Sequence, residues 1–465
     1  MVQEITYTIG VWEMGVNFIQ VDRETPYLLP PSLQDWLPEN HLGRFVVDIV
    51  GQLDLRGLKE AYAGRGSKPY NPEMLLGLLF YGYATGVFAS RQLERATYDS
   101  VAFRYIAANA HPDHDTIATF RKRFLAELKP LFVQILTIAH QMEVLKLGKI
   151  SLDGSKVKAN ASKHHALSWE HACKLEQQLK AEVEELLRKA NEADAADIPD
   201  GMSIPEELSR RQERLAAIAS AKAEISQRAE ERYAKEREAY EQKLAERKDK
   251  EQSTGKKARR KDPKPPKPGP KASDQVNLTD GESRIMPASG GGFTQAYNAQ
   301  ASVDINTMLI VENHVSQQTN DKQEIEPAIA ELSALPKDLG KVDTLLTDNG
   351  YFSEANVTRC HASDITPLIA VKRERHHLSL AERFAEPPPL PDDADDIAKM
   401  KHRLKTPEGR SLYGKRKCTS EPVFGIIKAA MKFRQFLLRG IESVRGEWSL
   451  VCIAYNLKRL HVLTA

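Results

Sequence analysis

The sequence predicts an α/β protein that is preceded by an all-helical region and interrupted by an inserted helical hairpin. Apolar side chains recur at helical spacing through residues 31–145, which predicts helices before any strand. From residue 272 onward, strand-like segments alternate with helical ones, the pattern of a sheet covered by helices. Residues 164–250 lie between these regions and are dense in Glu, Lys, Arg, Gln and Ala. Their apolar residues step by three or four, as in two long antiparallel helices close to a coiled-coil pattern.

The composition limits the possible classes of function. The formal net charge is only +2, so binding to nucleic acid must rely on local basic patches. The four cysteines are far apart and form no CxxC pair, which argues against disulfides and thiolate zinc sites and fits a reducing cytosol. The N-terminal segment is not a signal peptide, and no run approaches the roughly 20 apolar residues of a membrane span. We therefore expect a cytoplasmic protein with no membrane partner.

The helical region is expected to follow an N-terminal extension, residues 1–30. Its helices are short and end in a basic one, in which Arg121, Lys122 and Arg123 are predicted on the surface. Short helices that end in a basic helix suit a helix-turn-helix-type DNA-binding domain, here residues 31–145. A plain helical bundle with a solvated basic face explains the same pattern.

The spacing of apolar residues changes from helical to strand-like at residues 148–160, GKISLDGSKVKAN. Polar and apolar residues alternate on both sides of Gly154, which predicts a strand that turns there into a second strand. Asp153 then lies at the end of the first strand. After the hairpin at 164–250, residues 251–271 are predicted to be an extended or disordered basic linker, because five prolines and eight Lys or Arg at 255–271 cannot build a core. Such a run is usually only solvated, but near a DNA site it could grip phosphates. The basic residues expected to do so are Lys256, Lys257, Arg259 and Arg260.

The sheet is expected to resume after the linker. Residues 293–315 predict two strands around a turn at Asp304, and KVDTLLTDNGY predicts a buried strand that delivers Asp348 into a turn. Residues 373–410 are irregular and are predicted to be a second, smaller insertion. The predicted α/β domain then consists of residues 146–163, 272–372 and 411–465.

Three carboxylates are candidate metal ligands. Asp153 and Asp348 each end a predicted strand, and Glu421 opens a helix. An acidic cluster of this kind is a hard-oxygen site suited to Mg²⁺ or Mn²⁺. Two such ions could activate a water or a 3′-hydroxyl and stabilise the leaving oxygen of a phosphodiester. Each acid also has a plain explanation, because Asp-Asn-Gly is ordinary turn chemistry and a helix dipole favours Glu at its start.

The surroundings of Glu421 are basic. Nine Lys or Arg and two Glu lie between Lys405 and Arg439. Glu421 and Lys428 are seven residues apart and share a helix face. Glu421 could therefore bind a metal while Lys428 binds a DNA phosphate. An unrelated surface lysine explains the same spacing.

Five blocks of the sequence, taken in chain order, resemble those of a known protein family. They are SRQLERATYDSVAFRYIA with PDHDTIATFRKRF, ISLDGSKVKANASK, DQVNLTDGESRIM with GGFTQAYNAQASVD, LLTDNGYFS, and Tyr413-Gly-Lys-Arg416 followed by Glu421 and Lys428. These blocks resemble bacterial insertion-sequence transposases of the DDE class, and the last resembles their Tyr-Arg-Glu-Lys signature. Four residues separate Arg416 from Glu421, where the commonest form of that signature has three. The resemblance covers most of the chain outside 164–250.

The resemblance implies a ribonuclease-H-like catalytic domain. In it, Asp153, Asp348 and Glu421 would hold two Mg²⁺ ions, with Mn²⁺ able to substitute. The residues that would hold or contact the DNA of the transposon end are Tyr413, Arg416 and Lys428. The implied partners are double-stranded terminal inverted repeats and target DNA, bound by a homodimer in the bacterial cytoplasm at the nucleoid.

The predicted function is DNA transposition by metal-dependent strand cleavage and strand transfer. One alternative is another ribonuclease-H-like, metal-dependent DNA nuclease. The other is a transposase-derived DNA-binding protein that no longer cuts, which the presence of all three acids disfavours. Asp304 and Asp321 lie in similar sequence blocks and are expected to be turn or cap residues rather than ligands.

Overall fold

The structure, a computed structural model, describes residues 32–62, 69–193, 204–254, 262–288, 290–371, 387–391 and 393–465. The predicted phosphate contacts Lys256, Lys257, Arg259 and Arg260 lie outside these residues, as does the extension 1–30. Among the described residues, no single helix is long and apolar enough to cross a membrane. One pair of helices, Pro72–Thr85 and Ser90–Asp99, reaches the required length and composition together, with a bend of 96° between them.

In the described part of the chain, seven α-helices precede the first strand. They are α1 (Leu42–Gln52), α2 (Arg56–Glu60), α3 (Pro72–Thr85), α4 (Ser90–Asp99), α5 (Val101–Ile106), α6 (His114–Arg123) and α7 (Leu128–Gln141). The centre of this region is α3, which is apolar on nearly all sides and is buried along ten of its residues. Asn71 caps its start by accepting a hydrogen bond from the amide of Glu73, and Pro72 fits the first turn.

The strands form one six-stranded mixed sheet and one two-stranded ribbon. They are β1 (Leu147–Lys158), β2 (Ala166–Ser168), β3 (Gln275–Asn277), β4 (Arg284–Pro287), β5 (Phe293–Asp304), β6 (Ile310–Ser316), β7 (Gly340–Thr347) and β8 (Thr366–Ile369). The order in the large sheet is β4-β5-β1-β7-β8, with β6 also paired to β5. β5 is antiparallel to its neighbours, whereas β1, β7 and β8 run parallel. The predicted α/β class is therefore confirmed.

The predicted turn at Gly154 is wrong. β1 runs unbroken through this residue, which pairs with Gln300 across the antiparallel ladder. A Cβ at Gly154 would lie only 2.6 Å from Cδ of Gln300. Glycine is therefore needed because a neighbouring side chain fills its space, and not because the chain reverses. Asp153 lies within β1, two residues beyond Ser151, the last residue of β1 that pairs with β7.

The inserted hairpin is present, although its second helix is much longer than its first and continues to Thr254, so the linker predicted from residue 251 begins too early. α8 (Trp169–Ala193) has 25 residues and α9 (Ile204–Thr254) has 51. The ribbon of β2 and β3 closes the base of the insertion, so its ends lie side by side. A small separate core holds the hairpin together; its buried members are Leu167, Ala172, Leu179, Ile218, Ala221, Ile225 and Val276.

Helices also cover the sheet. They are α10 (Ile325–Ser333), α11 (Glu354–Ala362), α12 (Asp396–Arg403), α13 (Pro407–Gly414), α14 (Ser420–Gly425) and α15 (Ile441–Thr464). A π-helical turn, Ile426–Ala430, continues directly from α14. α15 is buried along most of its length and packs against α3, α7 and β6. As a result, one continuous hydrophobic core spans the N-terminal helices, the sheet and α15.

Candidate active site

Two of the predicted acids lie where the neighbouring strands β1 and β7 stop pairing in parallel, although Asp153 itself lies within β1 and not at its predicted end. The parallel ladder between β1 and β7 ends at the pair Ser151 and Leu346. Asp153 and Asp348 each follow two residues later, and they lie close enough for the Asp348 charge to act on Asp153. Backbone amides fix both side chains: Gly154 donates to Asp153 at 2.8 Å, and Gly350 donates to Asp348 at 2.7 Å. The turn chemistry of Asp-Asn-Gly thus orients the Asp348 carboxylate beside β1.

A pair of serines docks the start of α14 onto β1. The hydroxyl of Ser151, which is fully buried, donates to that of Ser420 at 3.3 Å. Ser420 in turn donates to Oδ2 of Asp153 at 3.2 Å. Since Ser420 immediately precedes Glu421, this contact brings the helix that carries the third acid to the strand that carries the first.

Arg416 lies between two of the acids. Its guanidinium is 3.7 Å from Oδ2 of Asp153 and 3.3 Å from Oε1 of Glu421, and its side chain is only 10% exposed. The Glu421 side chain is 55% exposed. In this arrangement Arg416 neutralises the carboxylates from inside the protein. The signature arginine predicted to hold phosphate is therefore engaged by acids.

The ionisation of Asp153 reflects its position. Burial raises the pKa of its carboxyl to about 6, and the neighbouring Asp348 carboxylate adds to the rise. The amide of Gly154, the charge of Arg416 and the hydroxyl of Ser420 oppose it. Arg416 therefore compensates only part of the cost of a buried carboxylate beside a second one. A further positive charge here would stabilise the ionised form.

Lys428 reaches the same strand from the π-helical turn. Its Nζ donates to the hydroxyl of Ser155, which shares a face of β1 with Asp153. Burial lowers the pKa of Lys428, and the Asp153 carboxylate partly opposes that shift. Glu421 is thus linked through Arg416 to Asp153, and Lys428 contacts Ser155. Both links reach the same face of β1. Isolated π-helical turns are frequently found at functional sites.

Tyr413 holds α13 at the end of β7. Its hydroxyl donates to the carbonyl oxygen of Thr347 at 3.2 Å, directly before Asp348. The guanidinium carbon of Arg416 lies 5.9 Å from the Tyr413 ring centroid. Tyr413 therefore has a positioning role in the site, and its expected contact with DNA stays a prediction.

Asp321, which the sequence predicts to be a turn or cap residue, also lies near these acids. Its Oδ1 accepts hydrogen bonds from Lys156 at 2.8 Å, Asn298 at 2.8 Å and Gln300 at 3.0 Å. A Cβ at Gly350 would lie 2.9 Å from Oδ1 of Asp348 and 3.6 Å from Oδ2 of Asp321. Asp321 is thus a neighbour of Asp348, and it also begins a turn, as predicted, because its carbonyl oxygen accepts from the amide of Glu324 at 3.2 Å.

A signal for Asp321 was present in the sequence. Asn298 and Gln300 alternate with alanines within β5, and both are fully buried. Buried amides need partners, so this pattern indicates a polar partner without identifying it. In contrast, Asp304 is confirmed as a turn residue, because Oδ2 accepts from the amides of Asn306 and Thr307.

The predicted basic face of α6 requires a correction. Arg121 is buried, with 8% of its surface exposed, so it does not belong to a DNA-facing surface. It donates to the Tyr83 hydroxyl at 3.2 Å and to the Phe88 carbonyl at 2.9 Å. Tyr83 donates to the buried carboxylate of Glu447 in α15 at 2.9 Å. Arg121 is therefore linked to α15 through the Tyr83 hydroxyl, and its positive charge lies near the buried Glu447 carboxylate.

The neighbours of Arg121 differ from it. Lys122 is exposed, as predicted. Arg123 is also exposed, but its guanidinium lies over the rings of Tyr62 and Phe124, at 5.1 and 5.2 Å from their centroids. Only Lys122 of the three basic residues in α6 therefore points freely away from the protein.

The donor set suits a hard divalent cation, although the acids are not gathered around one point. Within the described ranges, no group of three or more His, Cys, Asp or Glu side chains is placed to hold a metal ion. The reason is local, since Arg416 separates Glu421 from Asp153. Three carboxylates without nitrogen or sulfur ligands match Mg²⁺ or Mn²⁺ chemically. The incomplete neutralisation of Asp153 fits the same group of ions.

The fold and site define an α/β protein with two acids just beyond the parallel pairing of adjacent strands. Residues 31–123 match the family model of a transposase domain (DUF772), and residues 392–461 match that of a transposase DDE domain. The second match contains Tyr413, Arg416, Glu421 and Lys428. Neither a curated protein nor a solved structure matches the chain.

Together the two family matches support an insertion-sequence transposase of the DDE class. This confirms the resemblance drawn from the five sequence blocks. Transposases of this class generally use a divalent metal and act on DNA.

Proposed function

We propose that this protein cleaves DNA strands at the ends of its own element and joins them to target DNA. One observation carries the proposal. Asp153 lies within β1 just beyond its parallel pairing with β7, Asp348 directly follows β7, and the helix that begins with Ser420 and Glu421 is hydrogen-bonded to Asp153. This arrangement suits metal-dependent phosphodiester chemistry in a chain that carries transposase domains.

We infer a ribonuclease-H-like architecture for the catalytic part. β5 pairs antiparallel with both β6 and β1, and β1, β7 and β8 then pair in parallel, which supports this inference. In such a sheet the acids on β1 and β7 lie close together, just beyond the residues where the two strands pair in parallel. A rigid sheet suits this task because metal ligands must be held within narrow tolerances.

Asp153, Asp348 and Glu421 would hold Mg²⁺, with Mn²⁺ as a substitute, at two positions. When bound, such ions polarise the phosphodiester and activate the attacking water or 3′-hydroxyl. The chain itself orients two of these carboxylates through the amides of Gly154 and Gly350. It also prepares the third by docking Ser420 onto Asp153.

Two cations complete the proposed site. Lys428 would bind a phosphate of the DNA end, since its ammonium already lies beside β1 and is only half buried. Arg416 would balance the acids in the protein without DNA and contribute to phosphate binding once a metal replaces that charge. Arginine suits both roles because its planar fork pairs with carboxylate or phosphate.

The proposed partners are double-stranded terminal inverted repeats and target DNA. A homodimer would bring two element ends together, in the bacterial cytoplasm at the nucleoid. The basic segment that contains Lys256, Lys257, Arg259 and Arg260 would add sequence-independent affinity for phosphates.

A labelled duplex carrying the end of the element, mixed with the protein, target DNA and Mg²⁺, tests this function. We expect a nicked product with a free 3′-hydroxyl at the element end, followed by a joined product of higher mass. Nicking without joining would instead support a nuclease of the same fold. Binding without any cleavage, in Mg²⁺ or Mn²⁺, would support a transposase-derived DNA-binding protein.

A further inference from the structure

Helix α4 has an exposed polar face that the sequence analysis does not identify as a functional surface. Arg91, Arg95 and Tyr98 occupy positions i, i+4 and i+7, so they lie on one side of the helix. All three are exposed, and 55% of the Tyr98 surface is accessible. In the part of the chain that the structure describes, neither arginine has a hydrogen-bond or ion-pair partner. Two unpaired guanidinium groups on one rigid helix are a favourable place for phosphate groups.

The opposite side of α4 is fixed to the protein. Leu93 and Thr97 are fully buried there. Glu94 accepts from the ring of His114 at 2.8 Å, and Thr97 contacts the ring of His111 at 3.0 Å. Because the helix is held on this side, the arginines are displayed from a rigid support, which lowers the entropic cost of binding.

Tyr98 has a defined orientation although it is exposed. Its ring stacks on that of His111, with centroids 3.9 Å apart and planes tilted by 13°. A ring held in this way offers an uncharged contact next to the two arginines. Within α4, Asp99 is the one exposed acid beside the exposed Arg91 and Arg95. Asp113 and Asp115, on either side of His114, are exposed as well, so the two arginines, and not a net positive charge of their surroundings, define this face.

The start of α4, at the opposite end of the helix from Tyr98, lies near the segment that leads to the candidate active site. A Cβ at Gly86 would lie 3.2 Å from the carbonyl oxygen of Met431 and 3.6 Å from Cδ of Lys432. Phe88, just before α4, packs edge-on against Phe433 at 5.5 Å. The start of α4 therefore adjoins the segment that leaves the π-helical turn carrying the proposed phosphate ligand. Lys432 is itself exposed and, within the described residues, has no charged partner.

We propose that the exposed face of α4, formed by Arg91, Arg95 and Tyr98, contacts the DNA duplex whose end occupies the site at Lys428. The duplex would pass over Lys432 and then reach α4. This assignment rests on the proposed function and names the surface that serves it in the helical region. It replaces α6, whose Arg121 is buried and whose Arg123 packs on aromatic rings.

The salt dependence of binding tests this surface with the full-length protein. A fluorescein-labelled duplex of arbitrary sequence, without divalent metal, reports phosphate contacts by anisotropy across a range of NaCl concentrations. Each lost contact flattens the plot of log affinity against log salt by about 0.9, so the double variant R91A/R95A should flatten it by roughly 1.8. Y98A should weaken binding without a change in slope, because tyrosine carries no charge.

A matched control removes the same charge elsewhere in the helical region. Arg56 and Lys59 already pair with Asp54 at 2.6 Å and Glu73 at 2.7 Å, so R56A/K59A should leave the slope nearly unchanged. Thermal melts by circular dichroism establish that each variant is folded. K122A reports separately on α6.

An unchanged slope for R91A/R95A in a folded protein would overturn the proposal, as would a larger effect for K122A. A wild-type protein that binds no duplex at all, or that never cleaves its own element ends, would instead contradict the proposed function. If R91A/R95A loses only binding to an acidic protein, and not to DNA, the face serves a protein partner and the proposal is wrong.

Discussion

The N-terminal helices and the inserted hairpin are both all-helical, but they relate to the sheet in opposite ways. Side chains from the N-terminal helices, the sheet and α15 form one continuous hydrophobic core. The hairpin instead has its own small core of seven buried residues and meets the rest of the protein through the β2 and β3 ribbon. Helical content therefore does not reveal which region is integral to the fold. The location of the buried residues does.

The polar contacts in the two regions differ in the same way. A buried network joins Arg121, Tyr83 and Glu447 across α6, α3 and α15. The hairpin relies on surface ion pairs such as Glu176 with Lys180, at 2.7 Å. Breaking a buried charged network is costly, because a partner is left uncompensated, whereas exposed pairs contribute little. Substitutions in the first region should therefore unfold the protein, and those in the second should not.

Glu447→Ala should produce the largest effect on stability. The carboxylate accepts hydrogen bonds from Tyr83 and from the amides of Leu437 and Leu438, the latter two at 3.0 Å. Its loss removes the acceptor of the Tyr83 hydroxyl and of two partly buried amides, and it leaves the nearby Arg121 charge uncompensated. The change should cost about 3–5 kcal/mol. Urea unfolding measures the change.

Glu176→Ala in the hairpin is the matched control and should cost several-fold less. Glu447→Gln keeps an acceptor oxygen and should fall between the two. Equal losses for Glu447→Ala and Glu176→Ala would refute the distinction between an integral and an appended helical region.

A pH dependence should come next in size, and it should affect the sheet but not the hairpin. His314 lies between Glu312 at 2.7 Å and Glu324 at 3.0 Å. Although burial lowers it, the pKa of His314 is raised to about 9 by these two carboxylates. The folded-state pKa is above the unfolded value of about 6.5, so this stabilisation is complete below pH 6.5 and is lost as pH rises through about 9.

The measurement is the urea midpoint between pH 7 and pH 10, compared for the wild type and His314→Gln. The wild type should lose more stability over this interval than the variant, which lacks the titrating group. Parallel curves for the two proteins would show that His314 is not held as an imidazolium between Glu312 and Glu324.

Removal of the hairpin should have the smallest effect on the sheet. Ser168 pairs with Gln275 in the ribbon, so a two-residue Asn-Gly turn can replace residues 169–274 without stretching the chain. The urea midpoint of the remaining protein should change little, and duplex binding by α4 should persist. Loss of the cooperative transition would contradict the view that the hairpin is appended. Normal assembly of two element ends by this variant, in a native gel, would show that the hairpin is passive.

Local patterns predicted the hairpin and most strands well. Its apolar residues repeat every three or four positions along the chain, so the signal does not depend on distant partners. The strands that carry Asp153 and Asp348 were found in the same way, from apolar runs followed by an acid. Their convergence at one sheet edge followed from the resemblance and agrees with the observed parallel pairing of β1 with β7.

The errors came from contacts between distant residues. Gly154 was read as a turn because its true constraint, the side chain of Gln300, lies on another strand. Arg121 was placed on the surface because its electrostatic partner, Glu447, lies in the last helix. Asp321 does begin the predicted turn, but its contacts with Asn298 and Gln300 could not be predicted, because no local pattern identifies the acceptor of those two amides. Burial and pairing at long sequence separation are set by the fold, not by local spacing.

The most direct test of the account is single-turnover cleavage of an element-end duplex in Mg²⁺ by Asp153→Asn, Asp348→Asn and Glu421→Gln. Loss of one ligand should remove several kcal/mol of transition-state stabilisation, so each rate should fall on the order of a thousandfold or more. Binding in Ca²⁺ should remain nearly intact. Two exposed acids outside the site, Asp364 and Glu442, provide the controls D364N and E442Q, which should cleave normally. Near wild-type cleavage by a variant of any of the three acids would contradict its place in the active site.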